Sequence, residues 1–218
     1  MSNHIKFLPT YLIKRYQQWK TTGYEENKSW FQKIAKEGQN PSTMFISCCD
    51  SRLHVTSLFG ADNGEFFIHR NIANLVPPYN PSGDHHGTSA AVEYAIKELN
   101  ISKIIIIGHS QCGGIKNGYY LCKNQETSRK TIFIDKWLNI LKPAFTKVLH
   151  ENQNISDNEG INNLEKESIK VSINNLIDFP FVKEAIHKNL LIIHGVWHDI
   201  GTGRIESLDP KSLEFTKI

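Results

Sequence analysis

The stretch 103-KIIIIGHSQCGG-114 decides the fold. Its run of isoleucines has no polar face, so a strand built from it must be covered on both sides, the mark of a central parallel strand. The run stops at Gly108, and polar residues carry the chain out of the sheet. Similar runs flank it. Residues 43–47 (TMFIS) read as a buried strand, residues 65–69 (EFFIH) follow an Asp-Asn-Gly turn signal as a second, and residues 190–194 (LLIIH) look like a further one. Helical spacing lies between them. Residues 88–99 place Ala91, Ala95 and Leu99 on one face, and residues 131–141 carry Trp137, Leu138 and Leu141. Residues 8–22 predict an amphipathic helix with Leu12, Tyr16 and Trp19 in one stripe. Residues 151–168 are the most polar segment and read as a surface loop leading into a helix. Strands alternating with helices predict an α/β fold, with a mainly parallel central β-sheet flanked by helices.

A length of 218 residues suits a single domain over 1–218, with residues 1–35 as an N-terminal helical arm. The composition is 39% hydrophobic and 22% charged, that of an ordinary globular protein. The net charge of +3 is small and spread along the chain, which argues against a nucleic-acid binder with its clustered basic stripe. No apolar run reaches the length of about 18 residues that a membrane span needs. The first twenty residues lack the unbroken apolar core of a signal peptide, so a cytoplasmic location is expected.

In a reducing compartment the four cysteines, Cys48, Cys49, Cys112 and Cys122, suit metal binding or catalysis better than disulfides. Cys122 reads as a buried thiol acting as a small hydrophobe. Cys48 directly follows one predicted strand, and 108-GHSQCGGIK-116 directly follows another. Sites in open α/β sheets form outside the carboxyl ends of strands, so the two motifs are expected to meet. His109 and Cys112 have H-x-x-C spacing in a turn that Gly108, Gly113 and Gly114 relieve sterically. One cysteine of 48-CCDSR-52 would complete a set of one histidine and two cysteines. Zinc accepts that set, and three protein ligands leave a fourth position open, as in catalytic sites. The same ligand types suit Cu(I) or iron, and disfavour Mg²⁺ and Ca²⁺. The glycines lack the P-loop spacing, which discounts nucleotide binding.

The paired motifs resemble those of the β-class carbonic anhydrases. The family's C-x-D-S-R motif appears as Cys48-Cys49-Asp50-Ser51-Arg52, and its H-x-x-C-G-G motif as His109 to Gly114. The segments 64-GEFFIHRNIANLVPP-78 and 87-GTSAAVEYAI-96 are similar too, and the likeness resumes near 179-FPFV-182. The resemblance implies reversible hydration of CO2 to bicarbonate and a proton, by hydroxide formed on one Zn²⁺ per subunit. It implies Cys48, His109 and Cys112 as zinc ligands, with Cys49 in a variable position. Alternation in an extended segment turns Cys49 away from the ion that Cys48 reaches, and Asp50 toward it.

Zinc lowers the pKa of bound water to about 7. Asp50 is implied to orient the resulting hydroxide, and Arg52 to hold Asp50 ionised and off the metal through a bidentate fork. Gln39, Phe67 and Tyr94 match substrate-pocket positions of the always-active branch, with Gly114 beside them. Phe45 stands where the bicarbonate-regulated branch tends to carry tryptophan, which implies the open type. The family forms homodimers and homotetramers whose N-terminal helix lies on the partner. Phe7, Tyr11, Tyr16 and Trp19 suit that role. His85 and His86 lie in a polar loop and suit either solvation or proton transfer, a task for which histidine titrates in the right range. His54 and His69 receive no assignment. Rival readings are hydrolysis of CS2 or COS, a zinc or bicarbonate sensor with Asp50 on the metal, and a strained Cys48–Cys49 redox pair.

Overall fold

The computed structural model describes residues 4–83, 86–124, 131–151 and 154–218. The chain divides into two compact units, Met1–Asn40 and Pro41–Ile218. The first unit holds α1 (Thr10–Trp19), which runs into a π-helical turn at Lys20–Tyr24, and α2 (Lys28–Glu37). Neither helix buries a residue within this chain. Aromatic contacts join its helices: Phe31 packs on Trp19 at 5.7 Å and on Tyr24 at 5.4 Å between ring centroids.

The second unit is a six-stranded sheet with helices on both faces. Its strands are β1 (Thr43–Cys48), β2 (Phe66–Asn71), β3 (Lys103–His109), β4 (Ile192–His198), β5 (Ile205–Leu208) and β6 (Phe215–Lys217), in the order β2-β1-β3-β4-β5-β6. The first four are parallel, while β5 and β6 add on antiparallel. The chain steps from β1 outward to β2 and then back across β1 to β3. That reversal opens a crevice between the carboxyl ends of β1 and β3, the usual place for a site in such sheets.

Period-2 alternation divides the core. Phe45 and Ile107 point to one face, and Met44, Ile46, Ile104 and Ile106 to the other. Each such buried side chain contributes about 1.5–3 kcal/mol relative to exposure. The first face is covered by α5 (Gly113–Cys122), α6 (Ile134–Leu138) and α7 (Lys142–Glu151), and the second by α4 (His86–Lys97) and α9 (Pro180–His187). A short α3 (Val55–Phe59) follows the first motif. The long α8 (Asp157–Ile177) serves both faces, with Ile161 and Leu164 in one cluster and Ile169 and Leu176 in the other.

The mainly parallel sheet expected from the sequence is present. Three local readings are refined. The segment 151–168 does lead into a helix, which starts at Asp157 behind a Ser156–Glu159 capping box and is largely buried in the core. The strand expected at 190–194 begins at Ile192 and runs to His198, because Leu190 and Leu191 belong to the turn after α9. Ala91 and Ala95 on α4 and Leu99 just beyond it do face the core together, and Thr88 and Val92 are buried beside them. The helix expected at 131–141 is one α-helical turn and a half, α6, tightened into a 3₁₀ turn over Asn139–Leu141.

Candidate metal centre and active site

Cys48 is the last residue of β1 and His109 the last of β3, and the two strands are neighbours. Parallel pairing therefore delivers both side chains to one crevice across sixty-one residues of sequence (109 − 48). Cys112 returns to it from the N-cap position of α5. Only Gln111 in this loop is left-handed, at φ 56°. The glycines serve close approach instead: a Cβ on Gly108 would sit 2.9 Å from Ile169, and one on Gly114 would sit 2.9 Å from Ile72 and 3.1 Å from Ala73.

Cys48, His109 and Cys112 are all buried, and their ligand atoms lie within 4.8 Å of one another. The two sulfurs are 3.8 Å apart. Two sulfurs bound tetrahedrally at about 2.3 Å from one zinc ion are separated by about the same distance. His109 Nδ1 donates to the Ser110 carbonyl at 2.9 Å, which leaves Nε2 as a lone-pair donor. That Nε2 is buried with no hydrogen-bond partner. A buried imidazole nitrogen without a partner is unfavourable unless a cation takes the lone pair. The cluster thus fits a thiophilic divalent ion.

Proton chemistry agrees. The Cys48 thiol is drawn down, first by the hydrogen bond from Cys112, against an opposing effect of burial, with further help from the N–H groups of Asp50 and Ala73. The same contact pushes the Cys112 thiol up, and burial adds to this. Two neighbouring thiolates repel, so without a cation the pair keeps one proton, and metal binding releases it.

Asp50 stands at the mouth. Arg52 donates Nε to Oδ1 at 2.9 Å and Nη2 to Oδ2 at 2.7 Å, and its main-chain N–H adds a bond to Oδ1 at 3.0 Å. The Arg52 fork holds the Asp50 carboxyl well below the usual carboxylate range. Asp50 Oδ2 lies 3.9 Å from His109 Nε2. Arg52 Nη2 also reaches the Gln111 carbonyl at 3.1 Å, tying the two motifs together.

The sequence matches the carbonic anhydrase family model over residues 43–205. The chain belongs to the carbonic anhydrase family. It is 40% identical over 195 residues to beta carbonic anhydrase 3 of Arabidopsis thaliana, covering 88% of this chain and 74% of that protein. The structure of the beta-carbonic anhydrase CcaA superposes with a TM-score of 0.88 at 28% identity, over 95% of this chain and 98% of that one. A tetrameric beta-carbonic anhydrase from Sordaria macrospora gives 0.78 at 33% identity, over 91% and 95%. The chain is therefore an enzyme of the β class, catalysing zinc-dependent hydration of CO2 to bicarbonate. Its cofactor is zinc, and Cys48, His109 and Cys112 form the group able to hold it.

Other expected residues fall in different places. Cys49 is exposed and lines a separate groove of about 460 Å³ with His69, Asn71, Ile72, Thr88 and Trp137, as alternation from Cys48 requires. Cys48, Cys49, Cys112 and Cys122 are all free thiols, and Cys122 is half-buried against the core. Phe45 is buried against the rings of Phe59 and Phe66. Phe67 and Tyr94 stack on each other at 5.9 Å. Cys48 pairs with Asn71, four residues beyond Phe67 on β2, so Phe67 sits about 13 Å back along the strand. Gln39 belongs to the first unit. His85 lies outside the described residues. His86 is exposed at the start of α4.

Two supporting residues escape a motif search. Arg70 donates to the carbonyls of Cys48 at 2.9 Å and of Asp50 and Leu53 at 2.8 Å each, clamping the first ligand loop. Glu165 on α8 accepts from the Cys112 N–H. Burial pushes its carboxyl up to about 6. Its one available signal was the S-x-x-E capping box at 156–159, which marks a helix rather than a loop.

Proposed function

We propose that Cys48, His109 and Cys112 hold one zinc ion with a fourth position open, and that Asp50 and Arg52 are the catalytic pair beside it. The observation that carries this reading is the engagement of Asp50, whose two oxygens are both taken by Arg52. A carboxylate so held is ionised and kept from becoming a fourth ligand. Bound zinc supplies a Lewis acid that brings the pKa of water toward neutrality. Asp50 Oδ2 accepts the O–H of the attacking nucleophile in a hydrogen bond and so turns a lone pair toward the carbon of CO2. Arg52 keeps that oxygen unprotonated and in place. Phe45, in place of a tryptophan, supports the open type.

Gln39, Phe67, Tyr94 and Gly114 make the substrate pocket in this reading. The Gln39 amide donates to a bicarbonate oxygen, the two rings supply an apolar wall for CO2, and Gly114 lets Ile72 and Ala73 pack close against the second ligand loop. The distance of Phe67 from the Cys48 level is one that a second copy, docked along the β2 edge and α4, would close. A homo-oligomer, dimer or tetramer, also gives the exposed Phe7, Tyr11, Tyr16 and Trp19 of the N-terminal arm something to cover. The tetrameric relative from Sordaria macrospora supports the assembly. Four free thiols support a reducing, cytoplasmic setting.

Stopped-flow CO2 hydration on the purified chain, with zinc content measured on the same sample, tests the proposal. Wild type is expected to hydrate CO2 far above background at mildly alkaline pH. Arg52→Gln is expected to keep its zinc and lose about 10–100-fold in activity. A fully zinc-loaded wild type with no activity above background, or full activity in Arg52→Gln, would sink it.

A further inference from the structure

The ligand loop after β3 is held from behind by a carboxylate that belongs to neither motif. Glu165 lies about two turns into α8 and is 1% exposed. Its Oε1 accepts the Cys112 main-chain N–H at 3.2 Å, and its Oε2 accepts the Trp197 indole N–H at 3.3 Å. Glu165 thereby joins the loop that carries two metal ligands to α8 and to β4. It makes no ion pair among the described residues.

An acid is an unfavourable choice for a simple core position, since a leucine of similar size buries no polar atom. The local backbone supplies the reason for one. Cys112 precedes α5 and turns its sulfur toward Cys48 and His109 while its N–H faces the core. No strand partner or preceding helical turn accepts that N–H, and an unmet buried donor would pull the loop toward another conformation. The sulfur's place is thus tied to the acceptor behind it.

We infer that Glu165 is a positioning residue for the metal centre: it fixes the main chain of Cys112, keeps that sulfur at the spacing zinc requires, and so sets how tightly the enzyme retains its ion. This rests on the zinc reading of the Cys48, His109 and Cys112 cluster. The carboxylate touches neither metal nor substrate and acts only through Cys112 and its loop. Partners of this kind, one bond removed from the metal, commonly govern retention by about 10–100-fold.

The test uses the full chain as wild type, Glu165→Gln and Glu165→Leu. Zinc affinity is read by competition with a chromogenic chelator, and thermal midpoints are taken with and without zinc. Leu, with no acceptor, is expected to weaken zinc binding by about 100-fold, and Gln, which keeps one acceptor oxygen, by about 10-fold. The zinc-bound midpoint should fall by more than the metal-free one. In the cobalt-substituted variants the thiolate-to-cobalt absorption bands should shift, which a packing role alone would not produce. Wild-type zinc affinity in folded Leu and Gln variants overturns the inference. If Leu does not fold, Gln alone decides on the same measure. A wild-type chain that binds no zinc would instead defeat the zinc reading itself.

Discussion

The two ligand loops are built alike and braced oppositely. Each leaves the carboxyl end of a parallel strand, where ladder hydrogen bonds run out. The loop after β1 turns carbonyls inward, and a cation answers them: Arg70 donates to three. The loop after β3 enters a helix, so it turns N–H groups inward. There an anion answers: Glu165 takes the Cys112 N–H, while the Cys112 sulfur itself faces the N–H groups of Gly114 and Ile115 at the start of α5. Helix starts present free N–H groups and partial positive charge, whereas a loop that folds back on a strand presents carbonyls. The lesson is that the sign of the supporting charge follows from which backbone groups the ligand loop leaves unpaired.

The largest effect should separate the two neighbouring cysteines of the first loop. Cys48→Ser is expected to lose bound zinc and reduce activity by more than the 10–100-fold typical of outer-shell changes, because a ligand is removed. Cys49→Ser should keep both, because Cys49 faces the outer groove. Zinc analysis of the two purified variants decides, and the opposite pattern would mean that the wrong thiol carries the metal.

Arg70→Gln strikes the brace of the same loop. A neutral amide cannot serve three carbonyls, so at least one is left unmet, at about 1–3 kcal/mol each. We expect the chain to lose about 3 kcal/mol in denaturant unfolding, and zinc binding to weaken with it. Unchanged stability would show that water replaces the guanidinium and that the braces are not equivalent.

The smallest effect lies outside both loops. His69 hydrogen-bonds Thr88 at 3.0 Å, and burial holds its imidazole below the ordinary 6.5. The unfolded chain therefore binds this proton more readily than the folded one. Its contribution to stability is complete above the unfolded value and is lost as pH falls through 6.5 toward the folded one. Half-exposure limits the term to below about 1 kcal/mol. In His69→Gln, melting curves across mildly acid pH should be flatter than in wild type. An identical slope would show that His69 does not sense this burial.

Much of the site was legible because it is local. The isoleucine run marks β3, the run before Cys48 marks β1, and alternation separates Cys48 from Cys49 within one dipeptide. Other parts were not. In α8 the buried stripe of Gly160, Leu164, Glu165, Ser168 and Ser172 is polar or small at most positions, so hydrophobic periodicity fails there and composition suggests a surface. Arg70 looks like one more charged strand residue until the loop that it clamps is folded over it. The glycines of the second motif looked like turn-makers, but the left-handed residue is Gln111, and the tight neighbours of Gly108 and Gly114 come from α8 and the turn after β2.

From the sequence alone followed the strand ends, the ligand types and their family, because periodicity and covalent spacing act over a few residues. Folding added the S···S distance of 3.8 Å, the opposed braces Arg70 and Glu165, and the separation of Phe67 from the crevice. Those depend on which distant segments pack together. Strand order and helix placement set that, and no single stretch of the chain records it.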